Sequence, residues 1–371
     1  MNVQRRGKIM MKRIHRMITA AAVVVCMAAV TACGNSAPKE NTPATGGAAA
    51  ETQAAASSGE TAGSGETAKE KIEVKLGFAE SENSVHYKGY QYMCDKITEA
   101  TQGQVTFKLY PSNSLGNERD LYEGCQLGTV DACIITNAVL TNFIPEAAVL
   151  DQPFLFDDYD QAWKFIDGPF GDYVEDKAEA GGVKIVGWMD SGFRSLFTKK
   201  NVDSVASLKG LKIRTMENEY HMAAYNALGC IATPMASGDV FTALQQGTID
   251  GAENTIPTIV ASKFNEVCNY VCNQPVIFAY QLLVFSDDLW AKIPEEYHDA
   301  VIAAAAEGCQ YQRTLLRDSV ADFRTDLESQ GVTFFDLDLD ELKSRTQEAM
   351  KQFSFDEEAL KLMNEELAKL Q

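Results

Sequence analysis

The chain has 371 residues, a formal net charge of −19 and 46% hydrophobic residues. Its acidic balance excludes nucleic acid and anionic membrane surfaces as electrostatic partners, and its length exceeds what one typical core holds, so two lobes are expected. With four histidines and no HExxH, Walker, GxSxG or dinucleotide-type glycine pattern, no catalytic, metal or cofactor motif stands out, and binding becomes the default function.

Residues 1–32 hold Arg5, Arg6, Lys8, Lys12, Arg13 and Arg16 with no acid, followed by an apolar run from Ile18 to Val30. That run is shorter than the roughly 20 residues a bilayer span needs, and it reads as a secretion signal. Its removal takes the net charge from −19 to −25. It ends in Val30-Thr-Ala-Cys33, which resembles the lipobox of bacterial lipoproteins. That resemblance implies a diacylated Cys33 as mature N-terminus, anchored to the cell membrane on its extracytoplasmic face. The segment 33–71 is almost all Ala, Gly, Ser, Thr and Glu beyond its cysteine, and cannot bury enough apolar surface to order itself. It reads as a disordered tether with a reach on the order of 30 Å.

The alternation in Ile72–Phe78 predicts a strand. A helix follows over 84–101, then a strand Val105–Tyr110, a turn 111–116, a helix 118–127 and a strand 131–136. Strands alternating with helices predict a mostly parallel α/β sheet. A second such set begins near Arg194, with strands 195–199, 211–215 and 231–234 and helices 219–228 and 238–246. Tyr280–Phe285 reads as a strand crossing back. From Glu295 to Ser329 runs the longest helical pattern, with Val301, Ala305, Cys309, Leu316, Val320, Phe323 and Leu327 at helical spacing. Asp336–Asp340 lacks the glycine and distal glutamate of a calcium loop and reads as a strand end with Asp340 as N-cap. An amphipathic helix closes the chain from Phe355 to Leu370. The seven cysteines beyond Cys33 are an odd number, so at least one is a free thiol. Cys268 and Cys272 read as buried apolar thiols rather than a disulfide or half a metal site, and no histidine cluster accompanies them.

Several blocks occur in a distinctive order. They are Tyr110-Pro-Ser-Asn-Ser-Leu-Gly116, Leu127-Gly-Thr-Val-Asp131, Phe143-Ile-Pro-Glu146 leading into Gln152-Pro-Phe-Leu-Phe-Asp157, Gly192-Phe-Arg194, Gly210-Leu-Lys-Ile-Arg-Thr215 and Ala243 through Asn254. In this order and spacing the chain resembles the substrate-binding subunits of tripartite ATP-independent periplasmic (TRAP) transporters, of the DctP type. The resemblance implies an α/β, two-lobe periplasmic-binding-protein-like fold with a long helix bracing both lobes. Lobe I would take 72–191 plus 280–319, and lobe II 192–279 plus 320–371. It also implies a small organic acid as ligand and delivery to membrane permease subunits driven by an ion gradient.

Carried over from the family, Arg214 clamps the ligand carboxylate, Asn254 shares it, and Arg194 reaches in as a second cation. The planar guanidinium fork suits that task because it gives two parallel hydrogen bonds and keeps its proton. Ser237 stands where many relatives carry an aromatic, and Thr136 where the sialic-acid binders place a carboxylate; both argue against sialic acid. Trp188-Met-Asp-Ser-Gly-Phe-Arg194 looks more like the uronate-binding relatives. Trp188 then offers a face for a sugar ring, or is plain core, while Glu80, Glu118, Asn137 and Asp190 are candidates for the hydroxyls. A C4-dicarboxylate receptor, an ABC-type solute receptor, a sensor-associated binding protein and a sugar-acid enzyme remain as alternatives.

Overall fold

The computed structural model describes residues 71–370. The expected secretion signal, Cys33 and the tether through residue 70 lie outside the described residues.

The alternating run forms β1, Ile72–Gly77, with Val74 and Leu76 buried and Glu73 and Lys75 exposed. Helix Val85–Ala100 starts at Ser84, whose side chain accepts from the Tyr87 N–H and so satisfies a donor the first turn leaves free. After β2, Val105–Tyr110, the helix Glu118–Gln126 opens with a reciprocal capping box between Asn117 and Asp120. It leads into β3, Ala132–Thr136, buried along its whole length. These bounds agree with the sequence pattern to within a residue or two.

The sheet departs from expectation. Its strands run in the order β2-β1-β3-β9-β4-β7-β5-β6. Here β4 is Val183–Thr198, β5 Lys212–Thr215, β6 Ile231–Pro234, β7 Gly251–Thr255 and β9 Ile277–Ser286. Pairing is parallel at both ends, among β1, β2 and β3 and among β5, β6 and β7, but antiparallel through the middle, where β9 and β4 lie side by side. The expected mostly parallel sheet is therefore a mixed one, because the two strands that join the halves run against their neighbours. Two short strands, β8 (Tyr270–Cys272) and β10 (Thr333–Phe335), pair with each other, and β8 also pairs with β4.

Sequence alternation flagged only the end of β4. Its start is hidden by two shifts of register, at Ile185/Gly187 and Asp190/Gly192, that break the period of two. Gly192 has φ 104°, a conformation that other residues reach only with strain. At about 3.3 Å per residue β4 is some 50 Å long. It pairs with β9 from Val183 to Arg194 and with β7 from Arg194 to Thr198. Arg194 is thus the residue at which β4 passes from one half of the sheet to the other.

The long helix is His298–Ser329, 32 residues, preceded by a 3-10 turn at Glu295–Tyr297. Its Val301, Ala305 and Cys309 join the core around β1 and helix Val85–Ala100, while its Leu327 joins a core with Phe197, Leu244 and Ile259 at the other end. The crossing with helix Val85–Ala100 is close enough to need glycine. A Cβ on Gly308 would lie 2.5 Å from Met93 Cα, and one on Gly89 2.5 Å from Gln312 Cγ. The helix after β10, Leu339–Met350, is capped by Asp338, which accepts from Glu341 N at 2.9 Å; the expected cap, Asp340, lies inside the first turn instead. The final helix, Glu357–Leu370, places Ala359 and Met363 in the core beside Phe165 and Phe170.

Candidate functional site

A cavity of about 300 Å³ is lined by Glu80, His86, Glu118 and Thr136 from the β1–β3 half and by Arg194, Arg214, Ser237, Phe241 and Asn254 from the other. The strand order explains the cationic side. β7 lies between β4 and β5, which carries Glu253 and Asn254 between Arg194 on one neighbour and Arg214 on the other.

The two arginines are held differently. Arg194 is buried and spends its fork on Glu253: Nε donates to Oε2, and Nη2 donates to Oε1 and to the Glu253 carbonyl, both at 3.0 Å. Its Nη1 donates to Asn254 Oδ1 at 3.1 Å. Burial alone would lower the Arg194 pKa, but the Glu253 carboxylate outweighs it and holds the guanidinium above its ordinary value. Glu253 is likewise buried, which would raise it, and Arg194 keeps it below the usual carboxylate range. Arg214 donates through Nε and Nη2 to the Met235 carbonyl at 3.0 and 2.7 Å, and its Nη1 is 3.9 Å from Glu253 Oε1. Burial, reinforced by the positive charge of Arg194, lowers its pKa to about 10, so it stays charged near neutrality. Arg214 Nη1 and the Asn254 NH2 therefore remain as donors without a hydrogen-bond acceptor among the described residues.

The other wall carries two enclosed carboxyls with no cation in contact among the described residues. Glu118, in the first turn of its helix, accepts from Thr136 Oγ1 at 2.9 Å; burial first, and Glu80 second, push it up to about 7. Glu80 is raised by burial as well. Its Oε1 accepts from Gln281 Nε2, whose Oε1 in turn accepts from Tyr90 Oη at 2.5 Å, while the Glu80 Oε2 has no hydrogen-bond partner among the described residues. His86 is lowered to about 4 by burial and is neutral at pH 7.

Three residues singled out from sequence do not line this cavity. Trp188 is a core residue, 4% exposed, edge-on to Tyr280 at 5.9 Å with its Nε1 donating to Glu175 at 2.9 Å. Asp190, also on β4, accepts from Trp163 Nε1 and is pushed up to about 7 by burial. Asn137 is turned away from Thr136 by the short helical turn Asn137–Leu140. Its NH2 donates to Asp151 at 2.8 Å and its oxygen accepts from Tyr280 N at 2.8 Å. Asp151 also accepts from Thr141 Oγ1 at 2.6 Å and Asn218 Nδ2 at 2.8 Å, and lies 3.3 Å from His221 Nε2. This buried cluster fastens the end of β3 to the segment after β5. Cys268 and Cys272 are buried thiols, raised by burial to about 12 and about 11.

Glu253, Gln281, His86 and Phe241 were not singled out from sequence. Glu253 had a signal, since a buried pair of arginines needs a counter-charge and Glu253 is the acid beside Asn254. Gln281 and Phe241 had none, as each reaches the site only through tertiary packing.

Residues 76–356 match the model of the bacterial extracellular solute-binding proteins, family 7. A solute-binding protein of Verminephrobacter eiseniae is 34% identical over 271 residues, 73% of this chain and 81% of that protein. A TRAP periplasmic solute-binding protein from Polaromonas sp. JS666, solved bound to D-erythronate, superposes with a TM-score of 0.77 at 33% identity, over 80% of this chain and 99% of that one. One from Xanthobacter autotrophicus Py2, with bound β-D-galacturonate, does so with 0.77 at 28% identity, again over 80% and 99%. The mixed sheet, the long helix shared by two cores and the family match agree: the chain belongs to family 7 of the bacterial extracellular solute-binding proteins, the two-lobe solute receptors of TRAP transporters.

Proposed function

We propose that this receptor binds a sugar acid, with a hexuronate as the best fit, and hands it to a permease driven by an ion gradient. The carrying observation is the composition of one cavity: two unused donors, Arg214 Nη1 and the Asn254 NH2, on one side, and two carboxyls with free acceptor capacity, Glu80 and Glu118, on the other. A molecule with one carboxylate and several hydroxyls uses both sides. Arg214 clamps the carboxylate and Asn254 shares it. Arg194, engaged by Glu253, supplies positive field and holds Asn254 in place. Glu80, Glu118, Thr136 and Ser237 take the hydroxyls, and Phe241 offers the apolar face that Trp188 does not. Because Glu253 offsets one of the two guanidinium charges, a single carboxylate is favoured over a C4-dicarboxylate. The D-erythronate and β-D-galacturonate held by similar proteins support this reading.

Closure of lobe I (72–191 plus 280–319) on lobe II (192–279 plus 320–371) buries the acid and strengthens the arginine contacts. Acylated Cys33 and the tether keep the receptor at the extracytoplasmic face of the membrane, within reach of its permease.

The test is thermal unfolding of the fragment from Lys71 onward with D-glucuronate, D-galacturonate, D-erythronate, succinate or D-glucose. A ligand at about 100 times its Kd adds about 2.7 kcal/mol of stability. Stabilisation by a sugar acid but not by succinate or glucose is expected; stabilisation by glucose or succinate alone overturns the proposal.

A further inference from the structure

Cys125 and Cys133 lie eight residues apart in sequence with their Sγ atoms 3.5 Å apart. Cys125 is in the last turn of helix Glu118–Gln126, and Cys133 is the second residue of β3. Both are buried where that helix packs on β3 through Leu121 and Tyr122. Among the described residues this is the one pair of thiols in contact. Cys309 faces the Met93 sulfur at 3.8 Å and Cys272 the Gln274 oxygen at 3.3 Å. The connection between the pair is tight, with Gly124 O accepting from both Thr129 N and Val130 N, at 2.9 and 3.1 Å, so the two sulfurs are held near each other by backbone geometry.

We infer that Cys125 and Cys133 are a disulfide site, closed by thiol–disulfide exchange with a small-molecule disulfide in the extracytoplasmic compartment where this family works. Closing to a bond of about 2.0 Å takes a shift of roughly 1.5 Å between the sulfurs. One cysteine thiolate attacks the small disulfide, forms a mixed disulfide and releases one thiol. The second cysteine thiolate then attacks the protein-bound sulfur and releases the other thiol. The two cysteine protons end on the two released thiols, and the protein is oxidised by two electrons as the small disulfide is reduced. Burial pushes the Cys133 thiol well above its ordinary pKa, with Cys125 adding to the effect, so exchange is slow in the native core and runs while the helix and β3 are docking. The bond would clamp together the two elements that carry Glu118 and Thr136 into the cavity.

The full chain, reduced and unfolded, is refolded in a glutathione redox buffer, unfolded again with iodoacetamide and digested with trypsin. No Lys or Arg falls between Arg119 and Lys164, so both cysteines sit in one peptide, Asp120–Lys164, which contains no other cysteine. The expected peptide carries no alkyl group and is lighter than the dithiol by two hydrogens. The same oxidation held in urea should give a closure constant at least about tenfold lower, because the unfolded chain does not hold the sulfurs together. Alkylation of both cysteines after refolding, linkage of either to another peptide, or equal closure constants with and without urea would overturn the inference.

Discussion

Replacing each arginine of the cavity by methionine should separate two quantities that a simple binding-site picture keeps together. In Arg194→Met the Glu253 carboxylate loses both side-chain hydrogen bonds to the guanidinium in a fully buried position. Breaking a buried ion pair from one side costs about 3–5 kcal/mol. The low end applies here, because Arg214 Nη1 at 3.9 Å can move toward the stranded acid. In Arg214→Met the Met235 carbonyl loses its two donors, a penalty of about 1–3 kcal/mol if it stays buried. Against that, a guanidinium whose pKa is depressed by burial and by Arg194 is removed. The net change in the free protein should therefore be about 1 kcal/mol or less. Affinity should move the other way. Loss of the clamp costs about 2–5 kcal/mol, a fall of roughly 30-fold to 4,000-fold in affinity for glucuronate. Urea unfolding without ligand and titration calorimetry with glucuronate read the two quantities. If Arg214→Met unfolds as early as Arg194→Met, or binds glucuronate like the parent, the division of labour between the arginines is wrong.

Two further outcomes follow from burial. Gly308→Ala sets a Cβ 2.5 Å from the Met93 Cα, which is backbone and cannot swing aside; overpacking of about 1–3 kcal/mol should exceed the gain of about 1 kcal/mol in helix propensity, and an unchanged thermal midpoint would show that the crossing has slack. The pH dependence has a definite sign. Glu118 and Asp190, both raised to about 7, keep protons in the folded chain that the unfolded chain has already lost, so stability present near the ordinary carboxylate range is lost as pH rises through about 7. His86, lowered to about 4, works the opposite way, but only below about pH 6.5, where an unfolded histidine takes up its proton. The urea midpoint should thus fall between about pH 6.5 and about pH 8, and less so in Asp190→Asn; a rise over that interval would contradict the assignment.

Most elements were legible because their causes are local. Alternation set β1, and a helical stripe set the long helix. The middle of the sheet was not legible. β4 hides its period behind two register shifts, and the antiparallel pairing of β9 with β4 is a long-range choice that no window of sequence contains. The cavity divides in the same way. Arg194, Arg214 and Asn254, which stand in the quoted motifs, line it, and so do Glu80, Glu118, Thr136 and Ser237, which stand outside them. Trp188 does not, because a tryptophan on a strand buried on both faces can face a core as easily as a cleft. Asn137 sits one residue past Thr136, where a single helical turn redirects it to Asp151.

The order in which the chain completes its cores bears on how it leaves the cell interior. The core between β1 and helix Val85–Ala100 takes side chains from Val301 to Cys309, and the core beside Phe165 and Phe170 takes Ala359 and Met363. The earliest strands are therefore sealed by some of the latest residues, across sequence separations of two hundred residues or more. Contacts that distant form slowly, since their loop closure must precede any gain from burial. A nascent chain emerging from the ribosome cannot finish the first of these cores before Cys309 has been made, or the second before Met363. Late sealing of this kind keeps a chain unfolded for longer while it is being made, which suits a family whose members work outside the cytoplasm.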